Sequence, residues 1–389
     1  MSVRTTGRFF RSRWVDPPDD VEELDPAQLA PGFRAGGAAC GLKGGGETDV
    51  GLIACDAEKV RSALLLTRNA AAAAPVRVCR ERCRQGSIRG AVVNSGNANA
   101  ATGEQGEHDA IAMRDAAAGE LGLDPEHVAV AETGTIGVPL DVAAVIAGVE
   151  EAAGALTASG GEDFARAIMT TDAGPKQCTV SCDGVTVSAQ AKGAGMIQPG
   201  FATMLCFIQT DATVRSPKKE LAGAVAGSFE RITVDGQMST NDTVLLQASG
   251  EAGRPLPDGL LDAVLLQLAL EIVADGEGGT RTCRVTVEEA AGAAEADAVA
   301  RAIANSQLVQ TALYGRDSNW GRIAQAAGQA LAGKQLEELG PDRIRADELA
   351  GEGREAEIGI RLGRGRSSSH LYFSDLTPDY ISLNAEYTT

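Results

Sequence analysis

The chain has 389 residues, of which 44% are hydrophobic and only 4% aromatic, and its formal net charge at pH 7 is −18. The length allows two core-bearing units, whereas the acidic balance argues against nucleic acids and anionic membrane surfaces as partners, because both are bound through clustered Lys and Arg. No apolar run approaches the ~20 residues of a membrane span, and the N-terminal residues have no apolar stretch of the signal-peptide kind, so we expect a cytoplasmic protein.

Helical and extended patterns are interspersed along the chain, and residues 1–30 are predicted to form a partly ordered leader. Periodicity and Ala/Leu content predict five helices, which cover Glu107–Leu121, Val142–Leu156, Gly259–Ala274, Ala294–Ser306 and Gly321–Leu331. Apolar or alternating runs predict strands at Arg89–Val93, Thr179–Ser181, Val185–Ala189, Met204–Ile208, Arg284–Glu288 and Glu357–Leu362. Asp183-Gly184 predicts a hairpin, and the charged residues 334–356 predict a loop-rich excursion. This mixture predicts an α+β fold in which sheets are layered with helices.

A segment rich in glycine and proline, Lys192 to Ala202, runs into Thr203 and then into the apolar run that begins at Met204. If the Ala202–Thr203 peptide bond breaks, Thr203 acquires a free α-amine beside its own hydroxyl, so that one residue holds both a nucleophile and a base. The unperturbed pKa of an α-amine, roughly 7.7–8, suits a general base near neutral pH. Composition alone also fits the ordinary alternative, a glycine loop that enters a core strand.

Two other polar segments could complete such a site. In Thr133-Gly134, the glycine permits close backbone approach, and adjacent polar groups and amides could hold a developing oxyanion; an ordinary turn is the alternative. Thr170-Thr171-Asp172 closes a further predicted helix, in addition to the five above, and offers hydroxyls and a carboxylate; a solvated helix end is the alternative. The eight cysteines form no Cys-x-x-Cys pair and there are only three histidines, so we expect no metal, no other cofactor and no His-dependent triad.

Taken together, these segments resemble the glutamate N-acetyltransferase (ornithine acetyltransferase) family of arginine biosynthesis. The resemblance covers nearly the whole chain and includes further motifs in the family's order: Asn94-Ser95-Gly96-Asn97, Ser239-Thr240-Asn241-Asp242-Thr243, Asp275-Gly276-Glu277-Gly278, Asp317-Ser318-Asn319-Trp320-Gly321-Arg322 and the tail from Leu383 to Thr389. It implies the layered α+β fold of ornithine acetyltransferases, which is similar to that of N-terminal-nucleophile enzymes.

The resemblance also implies self-cleavage between Ala202 and Thr203 into an α chain, residues 1–202, and a β chain, residues 203–389, which stay together as a heterotetramer of two α and two β chains. The new N-terminal threonine would take an acetyl group from N2-acetylornithine as an ester and pass it to glutamate, and some members of the family also use acetyl-CoA as donor. By correspondence of motifs, Thr203 is the nucleophile, Thr133 and Gly134 form the oxyanion hole, and the substrate contacts are Thr170, Lys192, Thr203, Glu277, Asn384 and Thr389.

The chemistry of these side chains fits an amino-acid substrate. Lys192 could bind a carboxylate as a compact cation, and Glu277 could bind the ammonium group of ornithine. Asn384 and Thr389 would otherwise belong to a frayed C-terminal tail, so the same assignment predicts that the tail is tucked into the active site.

Several positions depart from the family's pattern and leave the substrate open: Gln198, Gly200, Phe201, Arg316 and Ser318. A paralogue of specialised metabolism that acts on another amino acid is therefore one alternative. An N-terminal-nucleophile amidase or aminopeptidase, in which water discharges the acyl-threonine, is a second alternative, and an uncleaved protein that only binds is a third.

Overall fold

The computed structural model describes residues 9–198 and 204–386, and in these ranges the chain forms three β-sheets with helices packed on them. The strands are β1 (Glu22–Glu23), β2 (Phe33–Ala38), β3 (Val50–Cys55), β4 (Arg61–Leu66), β5 (Gly90–Asn97), β6 (Val128–Thr135), β7 (Lys176–Cys182), β8 (Val185–Lys192), β9 (Leu205–Thr210), β10 (Ile232–Thr233), β11 (Thr243–Ala248), β12 (Thr282–Ala290), β13 (Ile344–Arg345), β14 (Glu355–Arg361) and β15 (Ser367–Ser374). The helices are α1 (Ala74–Arg82), α2 (Gly103–Leu121), α3 (Val142–Gly154), α4 (Gly161–Ala167), α5 (Pro217–Gly227), α6 (Leu260–Ala274), α7 (Ala293–Ala304), α8 (Gln307–Tyr314), α9 (Trp320–Ala330) and α10 (Pro378–Glu386).

The first sheet has four strands in the order β2-β3-β5-β6 and packs against helices α1 to α4. Strands β5 and β6 are parallel, and their ends bring Gly96 beside Gly134. Gly134 has a φ of 132°, and a Cβ at this position would lie 2.3 Å from the carbonyl carbon of Gly96. Only glycine allows the two strand ends to approach each other this closely.

The second sheet has six strands in the order β1-β7-β8-β9-β11-β4. Strand β9 lies in its interior, antiparallel to β8 and parallel to β11. Its side chains alternate between two cores, because Leu205 and Phe207 pack in the core of the first sheet, whereas Cys206 and Ile208 pack with α5 and α6. A strand that is buried on both faces needs the continuous apolar run that the sequence has at this point.

The third sheet has five strands in the order β10-β15-β12-β14-β13. It packs with α7, α8 and α9 around a core of its own. Tyr372 of β15 contributes instead to the core beside α6, so the third sheet is joined to the rest of the molecule. The three sheets and their helices confirm the predicted layered α+β fold.

Most of the predicted elements are confirmed, with ends that differ by a few residues. The hairpin at Asp183-Gly184 joins β7 to β8 through residues with φ values of 51° and 73°, as a type I′ turn requires. Residues 334–356 are mostly loop, as predicted, with β13 and a 3-10 turn between them.

The described part of the predicted leader, residues 9–30, packs against the rest of the fold. Within residues 9–30, Phe9 and Val15 are buried, and β1 adds to the second sheet by pairing with β7. Over the residues that the structure describes, no helix is both long enough and apolar enough to cross a bilayer.

Candidate active site

Several distant segments of the chain meet around a cavity of about 270 Å³. Its lining includes six residues that the sequence predicts for the site: Thr133, Gly134, Thr170, Lys192, Glu277 and Asn384. Lys192 is paired in register with Leu205, so the cavity opens where β9 begins, just after the predicted cleavage point. Ala202, Thr203 and Thr389 lie outside the described residues.

The cation of the site, Lys192, is buried at the end of β8, with 1% of its surface exposed. Its Nζ donates to Thr170 Oγ1 at 2.7 Å and to Thr133 Oγ1 at 3.3 Å. Burial lowers the pKa of Lys192, against the opposing effect of the nearby Asp172 carboxylate. Because Thr133 Oγ1 accepts a hydrogen bond from Lys192, the hydroxyl hydrogen of Thr133 can be donated to another group.

The strand end that carries Thr133 and Gly134 is held by buried polar contacts. Asn241 Nδ2 donates to the backbone oxygens of Glu132 and Ala98, at 2.8 and 2.6 Å. Burial raises the pKa of Glu132 to about 8, although Asn99 donates to its Oε1 at 2.8 Å. These contacts fix the backbone of the predicted oxyanion hole before any substrate arrives, which is the condition for efficient charge stabilisation.

A buried ion network supports the loop beyond β8. Asp172 accepts from Lys176 Nζ at 2.6 Å, from Gly193 N at 2.7 Å and from Thr170 N at 3.0 Å. Lys176 Nζ also donates to Asp275 Oδ2 at 2.5 Å. Burial acts to raise the pKa of Asp172, but Lys176 and Lys192 outweigh it and lower the pKa to about 2. The network therefore fixes the backbone of Thr170, a predicted substrate contact, through the hydrogen bond from Thr170 N to Asp172.

Glu277, which also lines the cavity, connects segments from both halves of the chain. Thr171 Oγ1 and Asn384 Nδ2 each donate to its carboxylate at 2.8 Å. The contact with Asn384 brings the C-terminal helix α10 to the cavity, as predicted for the tail. Burial, Asp235 and Glu277 raise the pKa of Tyr380 to about 12. The cavity is therefore lined by the carboxylate of Glu277 as well as by Lys192.

Two aspartates bind backbone N–H groups on either side of the segment that contains Thr203. Asp235 accepts from Met196 N at 2.5 Å and from Ile197 N at 2.9 Å. Asp242 accepts from Met204 N at 3.1 Å through Oδ1. The sequence gives neither of them a role, although Asp242 belongs to one of the motifs that carry the resemblance. Both bonds join residues more than 30 positions apart, which local patterns cannot reveal.

Comparison with known proteins gives one consistent result. The model of the ArgJ family matches residues 34–389. The arginine biosynthesis bifunctional protein ArgJ of Symbiobacterium thermophilum is 42% identical over 95% of this chain and 100% of its own length, and that of Geobacter sulfurreducens is 41% identical over 92% and 99%. A chain from the crystal structure of ornithine acetyltransferase complexed with ornithine from Mycobacterium tuberculosis aligns at 37% identity over 46% of this chain and 98% of itself, with a TM-score of 0.44.

Proposed function

The chain belongs to the ArgJ family of bifunctional arginine-biosynthesis proteins and is therefore an acetyltransferase, and we propose that it transfers an acetyl group from N2-acetylornithine to glutamate through an ester of Thr203. The observation that supports this proposal most directly is the cavity at the start of β9. It gathers the predicted oxyanion and substrate groups at the point where the chain continues from Thr203 into β9. We also propose acetyl-CoA as a second donor of the acetyl group.

Self-cleavage between Ala202 and Thr203 is part of the proposal. The sheet order supports two chains that stay together, because β9 and β11 of residues 203–389 lie between β8 and β4 of residues 1–202. Membership of the family supports an assembly of two α and two β chains in the cytoplasm, with no cofactor.

In the proposed reaction, the α-amine of Thr203 takes the proton of the threonine hydroxyl while the hydroxyl oxygen attacks the acetyl carbonyl of acetylornithine. The carbonyl oxygen becomes an oxyanion, which the N–H of Gly134 and the hydroxyl of Thr133 would stabilise. The α-ammonium then gives its proton to the departing ornithine nitrogen, and the acetyl group remains on Thr203 as an ester. Glutamate attacks this ester through the same steps in reverse and leaves as acetylglutamate.

The two charged side chains that line the cavity, Lys192 and Glu277, support an amino-acid donor. Lys192 would attract the α-carboxylate of acetylornithine, and Glu277 would attract the ammonium group at the end of its side chain. Asn384 and Thr171, which already donate to Glu277, hold the carboxylate in one orientation. A donor with both charged groups would therefore enter the cavity in one direction.

Replacement of the nucleophile tests the proposal. Thr203→Ala should abolish both self-cleavage and acetyl transfer, whereas Thr203→Ser should retain part of each because serine keeps the hydroxyl and the α-amine. Intact-mass measurement follows cleavage, and mass spectrometry of the products distinguishes acetylglutamate from the free acetate that an amidase would release. Undiminished transfer by Thr203→Ala, or acetate as the main product of the unmodified protein, would refute the proposal.

A further inference from the structure

Tyr380 is a cavity residue whose side-chain hydroxyl has no hydrogen-bond partner among the described residues. It lies on α10 and lines the cavity together with Glu277 and Asp235. The residue is half-buried, and its hydroxyl forms no hydrogen bond with residues 9–198 or 204–386. A phenol oxygen can donate one hydrogen bond and accept others. The Tyr380 hydroxyl therefore has its full bonding capacity for a molecule that enters the cavity.

The start of α10 packs against the residue that follows Glu277. Gly278 has a φ of 66°, and a Cβ at this position would lie 2.6 Å from Tyr380 N. Thr377 Oγ1 donates to Gly278 O at 2.7 Å and accepts from Tyr380 N at 3.2 Å. Asn384 Nδ2, which donates to Glu277 at 2.8 Å, also donates to Tyr380 O at 3.0 Å. These contacts fix the backbone of Tyr380 beside Glu277 before a ligand binds.

The charges around the Tyr380 hydroxyl favour a cation. Burial, Asp235 and Glu277 raise the pKa of Tyr380 to about 12, so the hydroxyl stays neutral within the field of two carboxylates. The oxygens of Asp235 accept from backbone groups, Oδ2 from Met196 N at 2.5 Å and Oδ1 from Ile197 N at 2.9 Å. Each oxygen of Glu277 accepts one side-chain hydrogen bond at 2.8 Å and can accept another. A cation beside Tyr380 would therefore find its opposite charge in Glu277.

We propose that Tyr380 is a specificity-determining residue that binds, together with Glu277, the side-chain ammonium group of acetylornithine. This inference rests on the proposed function. An ammonium group has three N–H donors, and it loses water when it enters a cavity of about 270 Å³. A charged group that leaves water needs both an opposite charge and hydrogen-bond partners. Glu277 supplies the charge, and the Tyr380 oxygen supplies a further acceptor.

The test combines removal of the Tyr380 hydroxyl with removal of the ammonium group from the donor. Tyr380→Phe deletes the hydroxyl and keeps the ring, and N2-acetylnorvaline is acetylornithine without the terminal amine. We expect Tyr380→Phe to lower kcat/KM for acetylornithine about 10-fold, because a hydrogen bond to a charged group is lost. It should change kcat/KM for acetylnorvaline by less than about 2-fold. A loss that is no larger for acetylornithine than for acetylnorvaline overturns the proposal.

The matched control is Tyr314→Phe, which removes the same oxygen at another place. Tyr314 ends α8, is 45% exposed and does not line the cavity, so kcat/KM for both donors should be unchanged. Glu277→Gln removes the opposite charge and should lower kcat/KM more for acetylornithine than for acetylnorvaline. If Glu277→Gln distinguishes the two donors and Tyr380→Phe does not, only the role of Tyr380 is refuted. If the unmodified protein transfers no acetyl group from acetylornithine, the proposed function fails as well.

Discussion

At the scale of single residues, two buried ionisable side chains, Lys192 and Glu132, lie next to the predicted oxyanion hole. Lys192 donates to Thr133 from the cavity side, and Glu132 precedes Thr133 on the buried strand β6. Burial shifts the pKa of each residue toward its neutral form, downward for the lysine and upward for the glutamate. The Thr133 hydroxyl, which accepts from Lys192, and the Gly134 N–H are the groups placed to stabilise an oxyanion.

Glu132 should make the folding stability of the protein depend on pH. Its pKa rises from 4.5 to about 8 on folding, so between these values the folded state keeps a proton that the unfolded state has lost. The free energy of unfolding should therefore fall as the pH rises from about 4.5 to 8, by on the order of 4 kcal/mol. In Glu132→Gln this loss should be absent, so its stability relative to the unmodified protein should increase with pH.

Urea unfolding at pH 5 and pH 8.5 measures this difference. Glu151→Gln is the control, because Glu151 is exposed on α3 and its replacement should leave the pH dependence unchanged. A stability gap between Glu132→Gln and the unmodified protein that is equal at both pH values would contradict the interpretation.

The residues of the candidate site could be named from the sequence because they lie in short motifs. Their place in the sheets could not, because Thr133 and Gly134 lie at the end of β6, a strand that is not predicted, and Lys192 ends β8, which is predicted only as far as Ala189. Asp172 and Asp235 gain their roles through contacts with Gly193 and Met196. Such contacts depend on loop geometry and on distant packing, which periodicity does not encode.

At the scale of the elements, helix α10 combines a weak structural role with a direct role in the site. None of its residues is buried, yet Tyr380 and Asn384 line the cavity. A chain that ends at Thr377 should keep its melting temperature within about 3 °C, because little apolar surface is lost. It should lose at least ~10-fold in kcat/KM for acetylornithine, because a hydrogen bond to a charged group is removed.

Thermal melting and steady-state kinetics measure the two effects separately. Leu383→Ser is the control for α10, because Leu383 is 51% exposed and does not line the cavity. A truncated chain with normal kinetics would show that α10 is dispensable for substrate binding. A melting temperature lowered by much more than about 3 °C would show that the truncation affects kcat/KM through the stability of the fold.

Strand β1 of the leader is an element that the sequence does not predict, because it has only two residues, Glu22 and Glu23, and both are charged. Phe9 N donates to Glu23, and Trp14 Nε1 donates to Glu357, at 2.8 and 2.7 Å. Contacts both within the leader and with distant residues such as Glu357 thus order residues 9–30, whereas β9 and the hairpin at Asp183-Gly184 are predicted correctly because their signals are local.

At the scale of the whole molecule, the sheet order could not be predicted from the sequence. Strand β4 pairs with β11, with Leu64 opposite Leu245, and both strands are short apolar runs that could pair with several others. The consequence is that the proposed cleavage point does not divide the molecule into two folding units. Residues on both sides of it share the second sheet and two hydrophobic cores.

The cleaved protein should therefore unfold as one unit. Removal of β9 would expose apolar side chains from both cores. It would also break the strand pairing of β9 with β8 and with β11. The two chains should therefore separate only when the second sheet itself unfolds. In a urea series, size-exclusion chromatography should show both chains co-eluting up to the midpoint at which far-UV circular dichroism is lost. Uncleaved Thr203→Ala is the control and should unfold in a single transition of similar amplitude. Release of residues 203–389 at urea concentrations that leave the circular dichroism intact would show that the chains are held by a surface contact rather than by a shared sheet.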